Sequence, residues 1–193
     1  MKRSLVYLLI SLSLAALAAC SPYVPVHMML NENHPSIAPS DTMATLVVAR
    51  EETSAWAYGS AADVNTFLDE EFIGQTTIYS YFVKQVDPGV HYILSHAVVI
   101  AQAAPISVAK FDFKAGKIYY ITFSVRSPPA SFTTLVTTEP FAPGDISLTG
   151  LKYLEFNSSP SAMVLTAEDR NAAIKGFDND PGNNQDILNY KGY

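Results

Sequence analysis

Hydrophobic positions fall into distinct regimes along the chain. Residues 5–19 are an unbroken uncharged run behind Lys2 and Arg3. That run is shorter than the roughly 20 residues a helix of about 1.5 Å rise needs to cross a bilayer. An apolar run of this length behind two cations fits the core of a removable secretory signal over residues 1–19. Residues 20–42 carry Pro22, Pro25, Pro35 and Pro39 and no sustained period. Proline removes a donor and restricts its predecessor. The stretch therefore predicts an extended tether spanning roughly 25 Å, interrupted by Met28, Met29 and Leu30, a point where it can dock on the domain.

From Met43 the pattern changes to short runs rich in Val, Ile, Thr and Tyr. Strands are predicted over 43–50, 64–68, 76–86, 90–102, 106–113, 117–125, 132–138 and 146–156. Asp69-Glu70-Glu71, Asp87-Pro88-Gly89 and Ala115-Gly116 punctuate them as turns. Short strands at close turn spacing predict an antiparallel β-sandwich over 43–160, of immunoglobulin or transthyretin type. Further on, Thr166 can cap a helix, Glu168 and Asp169 suit the positive end of its dipole, and Gly176 can stop it. Residues 161–193 read as a short helix and a polar, mobile tail.

Composition narrows the function classes. The 193 residues carry a formal charge of −6, and loss of Lys2 and Arg3 with the signal takes it to −8. That argues against a nucleic-acid binder, which needs a basic face, and against a polybasic membrane-surface protein. With 49% hydrophobic and 16% charged residues the chain is not a disordered one. A lone cysteine rules out a disulfide scaffold and a Cys-based zinc site.

That cysteine, Cys20, stands directly after Leu17-Ala18-Ala19. The sequence resembles a bacterial lipobox, in which the thiol takes a diacylglycerol and the peptide is cut before it. Two or more acyl chains anchor a protein stably, at about 0.8 kcal/mol per buried methylene. Ser21 follows, not Asp, and the resemblance then implies transport to the outer membrane, facing the periplasm. Lipidation, palmitate included, would consume the only thiol.

Four further segments carry a second resemblance: Leu46-Val47-Val48-Ala49-Arg50; Phe67 to Gly74 around Asp69-Glu70-Glu71; Tyr79-Ser80-Tyr81-Phe82 leading to Pro88-Gly89-Val90-His91; and Ala115-Gly116-Lys117-Ile118-Tyr119-Tyr120. Together they resemble a family of bacterial envelope lipoproteins with a domain of unknown function. Their order is also similar to that of the small sandwich modules called PEGA domains. Glu70 and Glu71 stand where a glycine turn is common. The resemblance implies a β-sandwich and an envelope address, and no catalytic residue.

Candidate chemistry is sparse. His27 and His34 fall in the expected tether and read as solvated rings. His91 and His96 are an odd number of positions apart on one predicted strand, hence on opposite faces, and cannot share a metal. His91 reads as support for the Pro-Gly turn, and His96 as a buried, hydrogen-bonded ring. Asp178 to Asn183 lacks the sixth glycine and twelfth carboxylate of a calcium loop, so no metal or cofactor is expected. The speculative binding residues are Tyr79, Tyr81, His91 and Tyr119. An exposed row of these tyrosines could stack on sugar rings or grip a partner, while core packing is the plainer reading.

The expectation is a membrane-anchored envelope lipoprotein that binds or scaffolds an envelope protein rather than catalysing. A glycan-binding module and a small cell-wall hydrolase are the alternatives. The hydrolase requires His91 or His96 beside a carboxylate in a cleft.

Overall fold

The computed structural model describes residues 27–51, 63–99, 102–103, 106–126, 135–156, 165–179, 187 and 190–193. Cys20 and the signal lie outside them. The elements run β1 (Met28–Leu30), β2 (Ala44–Arg50), β3 (Asp63–Leu68), β4 (Glu71–Thr76), β5 (Ser80–Val86), β6 (Gly89–Val99), β7 (Gln102–Ala103), β8 (Ser107–Phe113), β9 (Ile118–Arg126), β10 (Leu135–Pro140), a 3-10 turn (Leu148–Gly150), β11 (Lys152–Phe156) and α1 (Ala167–Asn179).

Two sheets stack as a mainly β sandwich. One has the order β1-β11-β5-β2-β9-β10; the other runs β4-β3-β6, with β7 and β8 both pairing β6. Most pairings are antiparallel, but β2–β9 and β11–β5 are parallel. All seven residues of β2 are buried. Its even positions, Ala44, Leu46 and Val48, join Phe82, Tyr119, Ile121, Ile93, Phe111 and Phe113 between the sheets. Its odd positions, Val47 and Ala49, face the other way and need a cover of their own.

Each outer face has one. Ile37, Phe141, Ile146, Leu148 and Leu151 pack over Val47, Ala49, Tyr81 and Tyr153 on the six-stranded sheet. On the other sheet, Phe177, Ile174 and Ala173 of α1 pack on Phe67, Leu94 and Val108. The helix opens as expected: Thr166 Oγ1 accepts the N–H of Asp169 at 3.1 Å and donates to its carboxylate at 2.6 Å. It does not stop at Gly176 but continues to Asn179. The reason is Phe177, which is buried with its ring edge-on to Tyr92 and so holds the last turn on the sheet.

Three other segments depart from the pattern-based expectation. The predicted strand 76–86 is broken at Thr77–Tyr79. Tyr79 takes φ +56°, and the Ser80 hydroxyl closes the turn by accepting the Thr77 N–H and donating to its carbonyl. The predicted strand 90–102 folds back on itself, because Val99 pairs with Gln102 and Val98 with Ala103. The predicted tether joins the domain from His27 onward: β1 pairs with β11, and His27 is buried with its ring edge-on to Phe72.

The tail expected to be mobile is docked where it is described. β10 ends at Pro140, and the pairing with β9 runs one bond further, with the Phe141 N–H donated to the Tyr120 carbonyl at 3.1 Å. The β9 edge beyond it is taken up by the chain end. Ile118 and Tyr193 exchange two backbone hydrogen bonds of 2.9 Å, and Tyr190 Oη accepts the Tyr120 N–H at 3.0 Å.

Candidate binding site

The sequence-predicted residues separate in space. Tyr119 is fully buried between the sheets. Its hydroxyl accepts the Lys114 N–H at 3.0 Å and donates to the Asp112 carbonyl at 3.1 Å, tying off the β8–β9 turn. Tyr81 faces the opposite way, under the outer cover, and is 2% exposed. Tyr79 is 45% exposed on its turn. These tyrosines therefore do not form a solvent-facing row, because alternation and the Thr77–Tyr79 turn send them in three directions.

His91 does lie beside an acid. Its Nδ1 is 2.6 Å from Asp69 Oδ2, and its ring packs at 5.9 Å from Phe113. Asp69 takes φ +52°, a left-handed conformation that aspartate tolerates better than most residues. Its other oxygen accepts the Tyr92 N–H at 2.8 Å, and its own N–H donates to the Tyr92 carbonyl. The pair thus ties the β3–β4 turn to the start of β6. Asp69 also supplies the left-handed residue that glycine commonly supplies in such a turn. His96 is half-buried on the opposite face of β6; burial lowers its pKa, opposed by the nearby carboxylate of Asp169. Among the described residues, no three His, Cys, Asp or Glu side chains converge to hold a metal.

A different constellation forms a concave surface. His34, Pro35, Ile37, Tyr81, Leu148 and Thr149 line an open depression of about 300 Å³ on the outer face of the six-stranded sheet. His34 Nδ1 and the Tyr81 hydroxyl are 2.9 Å apart in a hydrogen bond. The Tyr153 ring lies 5.2 Å from Tyr81 and 6.3 Å from His34. Burial first, then the adjacent Glu155, pushes the Tyr153 hydroxyl up to about 12; burial also raises Tyr81. Both tyrosine hydroxyls therefore stay protonated at neutral pH, and the floor is aromatic and hydrogen-bonding, suited to an apolar group carrying one polar atom.

Of the predicted binding residues, only Tyr81 contributes here. The others in the depression were not singled out by sequence, because His34 meets Tyr81 across 47 positions. Pro35 and Pro39, between β1 and β2, were the available signal, since they disfavour a strand there and leave a covering loop.

These features define a two-sheet β-sandwich whose outer faces are roofed by a loop layer and a helix. More particularly, residues 40–135 match the family described as "Protein of unknown function (DUF2846)", so the chain carries a DUF2846 domain. No curated protein and no solved structure matches the chain. The matched segment runs from β2 to the start of β10. β1, β11, α1 and the docked chain end lie outside it. So does every residue of the depression except Tyr81.

Proposed function

We propose that this chain is a lipid-anchored cell-envelope protein whose sandwich works as a non-catalytic binding or scaffolding domain for an envelope protein. The observation that carries the reading is Cys20. It is the single cysteine, it follows Leu17-Ala18-Ala19, and it stands seven positions before His27, where the described fold starts. Lipid on that thiol would hold the domain to the outer membrane, facing the periplasm. The reading places the chain with lipoproteins that bear a domain of unknown function, some of PEGA-like build. The depression supports the reading of a contact surface: segments from either side of the DUF2846 match meet over Tyr81 and leave a largely apolar concavity.

The test is in-cell photocrosslinking from Thr149, an exposed residue on the rim of the depression. The expected result is one dominant envelope protein, lost in a Cys20→Ala form. Crosslinks spread over many proteins, unchanged by Cys20→Ala, would contradict the reading.

A second reading, a small cell-wall hydrolase, is favoured by the 2.6 Å contact of His91 with Asp69. Cleavage of purified peptidoglycan that is lost in a folded Asp69→Asn variant would support it. A glycan-binding module would have to use Tyr79, the exposed member of the tyrosine set.

A further inference from the structure

We infer that the β1 edge of the sandwich lies against the bilayer that holds the anchor, with Met29, Leu30 and Phe156 in contact with the lipid headgroup region. The inference rests on the proposed lipidation of Cys20. β1 stands at the end of its sheet, and among the described residues it pairs only with β11. Three large apolar side chains on β1 and its partner β11 are open: Met29 is 47% exposed, Leu30 39% and Phe156 44%. Met29 and Leu30 point to opposite sides of β1, and Phe156 shares the Leu30 side. They surround the edge rather than one face, as an edge-on contact requires.

Chain length supplies the occupant. From Cys20 to His27 are seven steps of at most about 3.6 Å, a reach of roughly 25 Å. A compact chain of this size is about 40 Å across. At full stretch the anchor therefore still holds β1 within roughly 25 Å of the bilayer, less than the width of the domain. The opposite edge, β10, lies five strand spacings away across the same sheet, roughly 24 Å. The mature charge of −8 offers no basic attraction, so the contact rests on the apolar side chains. Glu155, opposite Met29, and the open backbone of β1 keep it at headgroup depth, because unpaired backbone groups do not enter hydrocarbon.

The test uses the full lipidated protein in phosphatidylethanolamine–phosphatidylglycerol vesicles. Lipid occupies the only natural thiol, so one introduced cysteine takes a dye alone. Met29→Cys, Leu30→Cys and Phe156→Cys are compared with Thr137→Cys, an exposed position on β10. A spin-labelled lipid should quench the dye several-fold more at 29, 30 and 156 than at 137. Equal quenching, or more at 137, would overturn the inference. Flotation with vesicles and the mass of the Cys20 peptide read the anchor separately. Protein that floats with acylated Cys20 but shows no edge quenching overturns this inference alone; an unmodified Cys20 overturns the anchor as well.

Discussion

Replacing Tyr190 with Phe removes one oxygen and leaves the ring. That oxygen accepts the Tyr120 backbone N–H at 3.0 Å and donates to the Phe141 carbonyl at a longer 3.4 Å. The ring would stay edge-on to Tyr119 at 5.6 Å and to Phe111 at 6.5 Å. The loss is then chiefly one desolvated N–H left without its acceptor, about 1–3 kcal/mol. Taking about 2 kcal/mol, the melting temperature should fall by roughly 4–8 °C for a domain of this size. Tyr190→Ala also empties the ring's volume and should cost about 3–5 kcal/mol. Thermal melts followed by circular dichroism read both. The pH dependence gives a second signature. Burial pushes the Tyr190 hydroxyl from 10.0 up to about 12, so the fold prefers its neutral form. A folded pKa above the unfolded one means stability is full below pH 10 and lost as pH rises toward 12. The Phe variant lacks this term, so the wild-type advantage should shrink across that window. An unchanged melting temperature at neutral pH, or a gap that stays constant to pH 12, would refute the claim that this hydroxyl holds the chain end on β9.

Other substitutions probe the remaining joints. Gly74→Ala would bring a Cβ to 2.9 Å from the Phe82 ring between the sheets and should cost about 1–3 kcal/mol in urea unfolding. Asp69→Asn keeps a residue tolerant of left-handed backbone and should cost about 1 kcal/mol. Asp69→Ala loses both side-chain bonds and adds backbone strain, so about 2–4 kcal/mol is expected. Equal losses for the two would show that the turn does not need the left-handed residue. Leu148→Asp, on the half-buried wall of the depression, should leave the melting temperature within a few degrees while abolishing the Thr149 crosslink.

The central strands were legible because their residues carry their own instructions. Ala44–Arg50, Ser107–Phe113 and Ile118–Arg126 are apolar, β-branched or aromatic runs, and Ala115-Gly116 between the last two turns with Gly116 at φ +75°. The break at Thr77–Tyr79 was not legible, since Thr, Ile and Tyr all favour strands. Tertiary bonds impose it, among them the Lys152 N–H donated to the Tyr79 carbonyl at 2.8 Å. The parallel pairings with β9 and β11 join strands far apart in sequence, which no local pattern encodes. The same holds for the depression. Tyr81 stood out for its composition, but His34 gains meaning only once the segment before β2 folds back over the sheet. Ile187 and Tyr190 sit in a polar stretch that hides their role; Ile187 joins the core between the sheets, and Tyr190 takes up the Tyr120 N–H on the β9 edge beyond β10.

The lipid anchor stands or falls with the state of Cys20. The protein should be purified from the membrane fraction of its native host without any N-terminal tag, and its intact mass and N-terminal peptide measured by mass spectrometry. The expected mature chain begins at Cys20 and carries thioether-linked diacylglycerol, with the membrane association lost in Cys20→Ala. A mature chain that begins elsewhere, or carries Cys20 as a free thiol, would contradict it.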